Sequence, residues 1–331
     1  MAKDKDAIPF RAPEEINQVI HKLGKKYGCP VIGLKSIYEK HSEHGIIGNE
    51  LITEHLHPNI DGYFILMHAF FEKSILAIDI DSNFNQDVIS QQDFKNSYPY
   101  TSLDSIVGLM SVMGLKNGFP FKLKPQKDAV LNSYRFQDYI DTLAYRAYSE
   151  PSFTIEEAHK KAAEHYKKTK MYLKAAKEYT AVTYINPLNT LAYASAFDMY
   201  YKAKEIKMAG QTLLRSLRYQ PTYLAMYNLA KINFDKKAYN VAEGYFKSAL
   251  EKFPKKSNNP DILYYLSVCY HKTGQSQLAA DLEKKLKSSF PGFNPTKMSS
   301  VIKPVVLSNM QALRYFNQAK EAIKTNSLTM P

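Results

Sequence analysis

Apolar positions in the C-terminal half of the chain recur at helical spacing inside a longer period of about 34 residues. Two ladders set that longer period. Pro187, Pro221, Pro254 and Pro291 follow one another at intervals of 34, 33 and 37 residues, and Ala175, Ala209, Ala242 and Ala279 repeat those intervals twelve residues ahead of each proline. Nine residues before each alanine stand Tyr166, Tyr200, Asn233 and Tyr270; four after it stand Tyr179, Leu213, Phe246 and Glu283. The spacing predicts four helical hairpins over 154–291, each closed by a proline that cannot donate within a helix. Ala163, Ala230 and Ser267 are small where the two helices of a hairpin approach most closely, whereas Phe197 predicts a slightly splayed second hairpin. Three extra residues, Ser257 to Asn259, lengthen the loop before the fourth hairpin and leave the stacking intact. Beyond the repeats, Val306, Met310, Leu313, Phe316, Ala319 and Ile323 lie at helical spacing and predict a capping helix over 305–325.

The ladders resemble the tetratricopeptide repeat. That resemblance implies a mainly α chain forming an α-α superhelix, with the inner faces of the first helix of each hairpin lining a groove. The register places Lys160, Glu164 and Lys167 there, then Ala194, Asp198 and Tyr201, then Tyr227, Lys231 and Phe234, and last Tyr264, Val268 and His271. Lys160, Lys167, Tyr201, Tyr227, Lys231, Phe234, Tyr264 and His271 are the candidate binding residues for a protein or peptide ligand. Rings give contact area at low entropy cost, and ammonium groups take carboxylates. The same rings can instead pack between neighbouring repeats. Glu164 and Asp198 stand where family members that clamp a C-terminal carboxylate carry asparagine, so that clamp is not expected.

The N-terminal part has a different pattern. Pro13 to Tyr27 predicts an amphipathic helix, Pro30 to Leu34 a short buried strand, Ser36 to His44 a helix, and Asn59 to Leu76 a long apolar helix. Helix, strand, helix, loop, helix is the closing portion of an α/β sheet protein, and one strand makes the segment incomplete. The loop before the last helix reads Glu54-His55-Leu56-His57-Pro58-Asn59, followed by Gly62-Tyr63. An acid three residues before a histidine can hold the imidazole in one tautomer so that its other nitrogen takes a proton.

This block resembles the last conserved block of the SGNH, or GDSL-like, hydrolases, an acid-x-x-His-Pro motif followed by a Gly-aromatic pair. Residues 5–13 also resemble a segment of bacterial proteins that join such a hydrolase to tetratricopeptide repeats. The resemblance implies that 1–80 is the C-terminal remnant of a hydrolase domain, with His57 as general base and Glu54, where the family has aspartate, as its orienting acid. The family's Gly-Asp-Ser nucleophile block is missing, and the string Asp79 to Asn83 around Ser82 follows the histidine instead of preceding it. Without nucleophile or oxyanion hole no esterase activity is expected of this chain by itself. Activity would need an N-terminal half that supplies the serine. The plain alternative is a surface turn with a helix cap.

Between the two parts, 81–150 predicts connecting and capping helices: Leu103 to Leu115, a Lys/Pro/Gly linker over 116–127, and Tyr134 to Tyr148.

Charge adds a lopsided balance. Of the net +12, residues 1–150 carry 16 basic and 19 acidic side chains and residues 151–331 carry 28 and 13, so the whole excess is C-terminal. The lysines are scattered, which suits a solvated helix surface better than nucleic-acid binding. Cys29 and Cys269 have no metal-ligand spacing. His41, His44, His55 and His57 fall within 17 residues and offer the one candidate zinc constellation, but they span a helix end and a loop, so neither a metal nor a cofactor is expected. The most apolar run, Gly62 to Ile78, is broken by His68, Glu72 and Lys73 and is too short to span a bilayer. The polar start lacks a secretory core, which predicts a cytoplasmic chain as written, or an envelope-associated one if an exported segment precedes it.

Overall fold

The computed structural model describes residues 13–54, 57–78, 98–119, 121–253 and 259–295. They divide into two compact units, Met1–Tyr98 with Gly108–Arg135, and Pro99–Val107 with Phe136–Pro331. Both are built from helices.

In the first unit, α1 (Glu14–Tyr27) carries Glu14 and Glu15 in its first turn and Lys25 and Lys26 in its last, both favourable to the helix dipole, and stops at the left-handed Gly28. A short irregular stretch, ending in a tight turn where the Leu34 N–H donates to Ile32 O, leads to α2 (Leu34–His41), a loop to α3 (Ile60–Ile78), and the unit takes in the later turns of α4 (Ser102–Lys116) and the short α5 (Ala129–Ser133). The predicted strand over Pro30 to Leu34 is not formed. Leu34 already opens α2, and among the described residues the one β pairing is an isolated antiparallel bridge between Ile52 and Pro58. An extended run becomes a strand only against a neighbour that completes its hydrogen bonds, and none of the described residues supplies one. The described part of 1–80 is therefore helices and loops, not the incomplete α/β layer expected. The helix predicted to His44 ends at His41, because His44 (φ 55°) and Gly45 (φ 71°) turn the chain left-handed.

In the second unit, α6 (Tyr139–Ser149) starts five residues later than predicted, where Asp138 accepts from the backbone of Ile140 and Asp141 and Asp141 returns the bond in a capping box. Four hairpins follow: α7 (Ile155–Lys168) with α8 (Tyr172–Ile185), α9 (Thr190–Lys202) with α10 (Ile206–Tyr219), α11 (Tyr223–Asp235) with α12 (Tyr239–Lys252), and α13 (Pro260–Lys272) with α14 (Ser276–Ser289). The predicted spacing is thus realised as repeated helix pairs in register. The same atoms close each hairpin. Thr154, Asn189, Thr222 and Asn259 cap the four first helices through side-chain oxygens. Lys170, Lys204, Lys237 and Gly274 take the left-handed conformation at the four turns. There the N–H of Met171, Glu205, Ala238 and Gln275 reaches back to the carbonyl of Tyr166, Tyr200, Asn233 and Tyr270.

The alanine ladder is fully buried, as are Ala163 and Ala230 at the close-approach position. Phe197 at that position is buried too, its ring accommodated within the core. Pro254 and the predicted capping helix over 305–325 lie outside the described residues, as do 79–97. The outer side of α14 carries Ala280, Glu283, Lys284, Lys287 and Ser288, a polar surface in place of the buried Phe246 of the preceding hairpin.

Candidate functional site

The candidate groove residues sit at equivalent positions on α7, α9, α11 and α13, and intrachain partners occupy their charges. Lys160 pairs with Glu156 at 2.5 Å, Lys167 with Glu164 at 3.3 Å, and His271 with Glu283 at 2.8 Å. Asp198 is met by Lys202 at 2.8 Å, and the Tyr179 hydroxyl donates to Glu164. Exposed pairs of this kind contribute little, so Lys160, Lys167 and His271 can exchange their partners for a ligand's.

Lys231 is different. It is buried, its ammonium contacts Asp235, and it lies over the rings of Tyr265 at 4.7 Å and Phe234 at 5.5 Å. A lysine so enclosed holds the third and fourth repeats together and offers no free cation.

The rings divide in the same way. Tyr227 meets Tyr223 and Phe246 with centroids 5.9 Å and 6.0 Å apart, and Phe234 meets Tyr265 at 4.9 Å. Tyr201 packs against the core of the first repeats, and Tyr264 against Tyr265. All four are half-buried, so each supports packing between repeats while leaving part of its ring uncovered. Burial also raises the Tyr227 phenol well above its ordinary value, with the Asp261 charge adding to the shift.

In the first unit, Glu54 and His57 are brought together. The Glu54 carboxylate accepts from the His57 backbone N–H at 3.1 Å and contacts the same residue's Nδ1. The acid is enclosed and the imidazole exposed, which leaves Nε2 facing outward. The loop is held by Gly62, where an added Cβ would stand 2.1 Å from the Leu51 carbonyl oxygen, and by the Tyr38 hydroxyl, which donates to Gly62 O at 2.8 Å. The remaining histidines do not converge. His41 Nδ1 bonds Ile37 O, His44 lies beside Glu43, and His55 falls outside the described residues. Among the described residues no three His, Cys, Asp or Glu side chains are placed to hold a metal, and no helix is long and apolar enough to cross a membrane.

The sequence reading did not single out the most enclosed polar cluster. His159 is 1% exposed; its Nδ1 lies 2.6 Å from Glu178 Oε2 and its Nε2 3.2 Å from Asp104 Oδ1. The Thr101 hydroxyl reaches both acids, at 3.0 Å and 3.3 Å. The signal was present: His159 occupies the repeat position that Tyr193, Met226 and Leu263 fill with buried apolar groups. Burial pulls the imidazole down, but the two carboxylates outweigh it and raise His159 to about 9. Glu178 is itself pushed up by burial, while Asp104 ends below the usual range because His159 and Thr101 overcome its burial. The two directions for His159 and Glu178 pull against each other. We favour the charged imidazole, since only an imidazolium donates from both ring nitrogens.

No known family and no curated protein matches the chain. Among solved structures it is similar to the crystal structure of MamA protein, with 13% identity, a TM-score of 0.37, and coverage of 60% of this chain and 98% of that one. A superposition at that level transfers no function. By its own geometry the second unit belongs to the class of helical-hairpin repeat proteins.

Proposed function

We propose that the chain is a tetratricopeptide-type scaffold that binds a protein or extended peptide along the first helices of its hairpins. The supporting observation is that four hairpins in one register present Lys160, Lys167, Tyr201, Tyr227, Phe234, Tyr264 and His271 at equivalent positions, each with part of its surface uncovered. Partly open rings supply area, and rim cations in weak exposed pairs supply selectivity. The test is a photo-crosslinking residue placed at Tyr201 and, separately, at the exposed Leu214 of α10, in cells that express the chain. Adducts at Tyr201 alone support the reading. Adducts at both or neither sink it.

The pairing of Glu54 with His57 favours a second reading for the first unit. It is the end of an SGNH-like hydrolase domain, inactive alone and able to cleave an ester only beside a partner half that carries the serine.

A further inference from the structure

We propose that the hairpin turns of the second unit form a docking edge for an anionic lipid surface. Hairpins stacked in one register bring their turns to one side of the stack, and here that side is rich in lysine. The first turn holds Lys168, Lys170 and Lys174, the second Lys204 and Lys207, and the third Lys236 and Lys237, all exposed. Lys202 Nζ lies 6.0 Å over the Tyr172 ring, so the first two turns are neighbours in space. None of these turn lysines meets a carboxylate among the described residues. The acids within the turns are Glu205 and Asp235, and Lys231 already contacts the Asp235 carboxylate. The joining loops 186–189 and 220–222, at the other end of the helices, carry no charged side chain.

The backbone points the same way. Lys170, Lys204 and Lys237 take the left-handed conformation, which glycine adopts without strain and does adopt at Gly274. No ion pair or hydrogen bond of the three side chains offsets that strain. Three lysines held at positions that favour glycine thus add charge where the fold itself gains nothing from it, and strain of this kind is a mark of function.

The chemistry of the edge selects the class of partner. Its cations are lysines, hydrated point charges, and none is an arginine, whose planar fork reads the phosphates of a nucleic acid one by one. Tyr172 and Tyr239 are packed against the core, which leaves no open ring on which a base could stack. Met171 and Leu173, by contrast, stand 48% and 42% exposed between Lys170 and Lys174. Aliphatic tips flanked by ammonium groups suit a lipid interface, where the charges meet headgroup phosphates and the apolar side chains enter the acyl boundary. The turn lysines are not among the groove candidates, so this reading and the groove can fail separately.

The full chain tests it by flotation with phosphatidylcholine vesicles that contain or lack phosphatidylglycerol. The expected result is binding that requires phosphatidylglycerol, weakens as salt is added, and falls at least about tenfold when Lys170→Gly, Lys204→Gly and Lys237→Gly are combined. These substitutions relieve the turns, so thermal melting should hold or rise, and lost binding cannot then come from unfolding. Combining Lys284→Gln, Lys285→Gln and Lys287→Gln removes the same charge from the exposed side of α14 and should change binding by no more than about twofold. Leu173→Gln should weaken vesicle binding about threefold and leave binding to polyglutamate unchanged. No binding to phosphatidylglycerol vesicles, or equal losses in the two triple variants, overturns the proposal. So does a chain that still holds duplex DNA or polyglutamate at a salt concentration that frees it from vesicles, which would assign the edge to a nucleic acid or to an acidic protein segment.

Discussion

His159 Nδ1 stands 2.6 Å from Glu178 Oε2 with both side chains buried, and this pair ties the first hairpin to the segment that carries Thr101 and Asp104. A free histidine titrates near 6.5, and this one is raised to about 9. The proton is therefore held more tightly in the folded chain than in the unfolded one. Its contribution is complete below pH 6.5 and is lost as pH rises through about 9. Asp104 works in the opposite sense: held below the usual carboxylate range, it contributes at neutral pH and loses that as pH falls. Urea unfolding should show stability falling by about 3 kcal/mol between neutral pH and the far side of the His159 titration. His159→Phe should lose about 3 kcal/mol at neutral pH, because two acids are left without their cation, and most of the alkaline dependence with it. A wild-type profile that matches the variant's above pH 7 would refute the charged triad.

Three of the four hairpin turns hold a lysine in the left-handed conformation, and the fourth holds Gly274. A side chain there costs about 1 kcal/mol that glycine avoids, offset in part by the freedom glycine has when unfolded. Each of Lys170→Gly, Lys204→Gly and Lys237→Gly should raise thermal stability by up to about 1 kcal/mol, and Gly274→Ala should lower it by a similar amount. Calorimetry of the four single variants is the check; glycine variants that melt lower would mean these lysines make contacts that outweigh the backbone strain.

The repeats were legible because proline and alanine act through backbone and size alone. Pro187 and Pro221 cannot continue a helix, and Ala175, Ala209, Ala242 and Ala279 are small where helices touch, whatever surrounds them. The caps Thr154, Asn189, Thr222 and Asn259 are local as well, each a short side-chain oxygen just ahead of a helical run. The first unit was harder. Pro30 to Gly33 has strand-forming residues, yet a strand depends on a neighbour that local pattern does not reveal. The burial of Lys231 was not legible for a related reason: spacing puts it on the inner helix face, but its enclosure under Tyr265 depends on the next repeat. Glu54 and His57 were found because three residues of loop are enough to bring them together.

That loop depends on Gly62. Its missing Cβ leaves room for the Leu51 carbonyl, which also accepts the Asn59 N–H at 2.9 Å, and a rigid backbone group cannot move aside as a side-chain tip would. Gly62→Ala should cost about 2 kcal/mol or more and open the turn between Leu51 and α3. The histidine resonances in a two-dimensional NMR spectrum would report the loss of the Glu54 contact at His57. An alanine variant with unchanged melting and unchanged His57 signals would show that the loop tolerates the shift.

Whether the pair at His57 does chemistry can be settled on the chain alone. An imidazole with its acid in place raises the reactivity of a hydroxyl only if one lies within hydrogen-bond reach, and a tetrahedral intermediate also needs donors aimed at its oxyanion. The chain has no Gly-Asp-Ser block ahead of Glu54. A fluorophosphonate probe, which labels activated serines, should therefore leave the wild-type chain unlabelled, and hydrolysis of p-nitrophenyl acetate should match His57→Ala within about twofold, the background of an exposed imidazole. Labelling that disappears in both His57→Ala and Glu54→Gln would mean that a serine of this chain reaches the pair, and would make the first unit a working hydrolase.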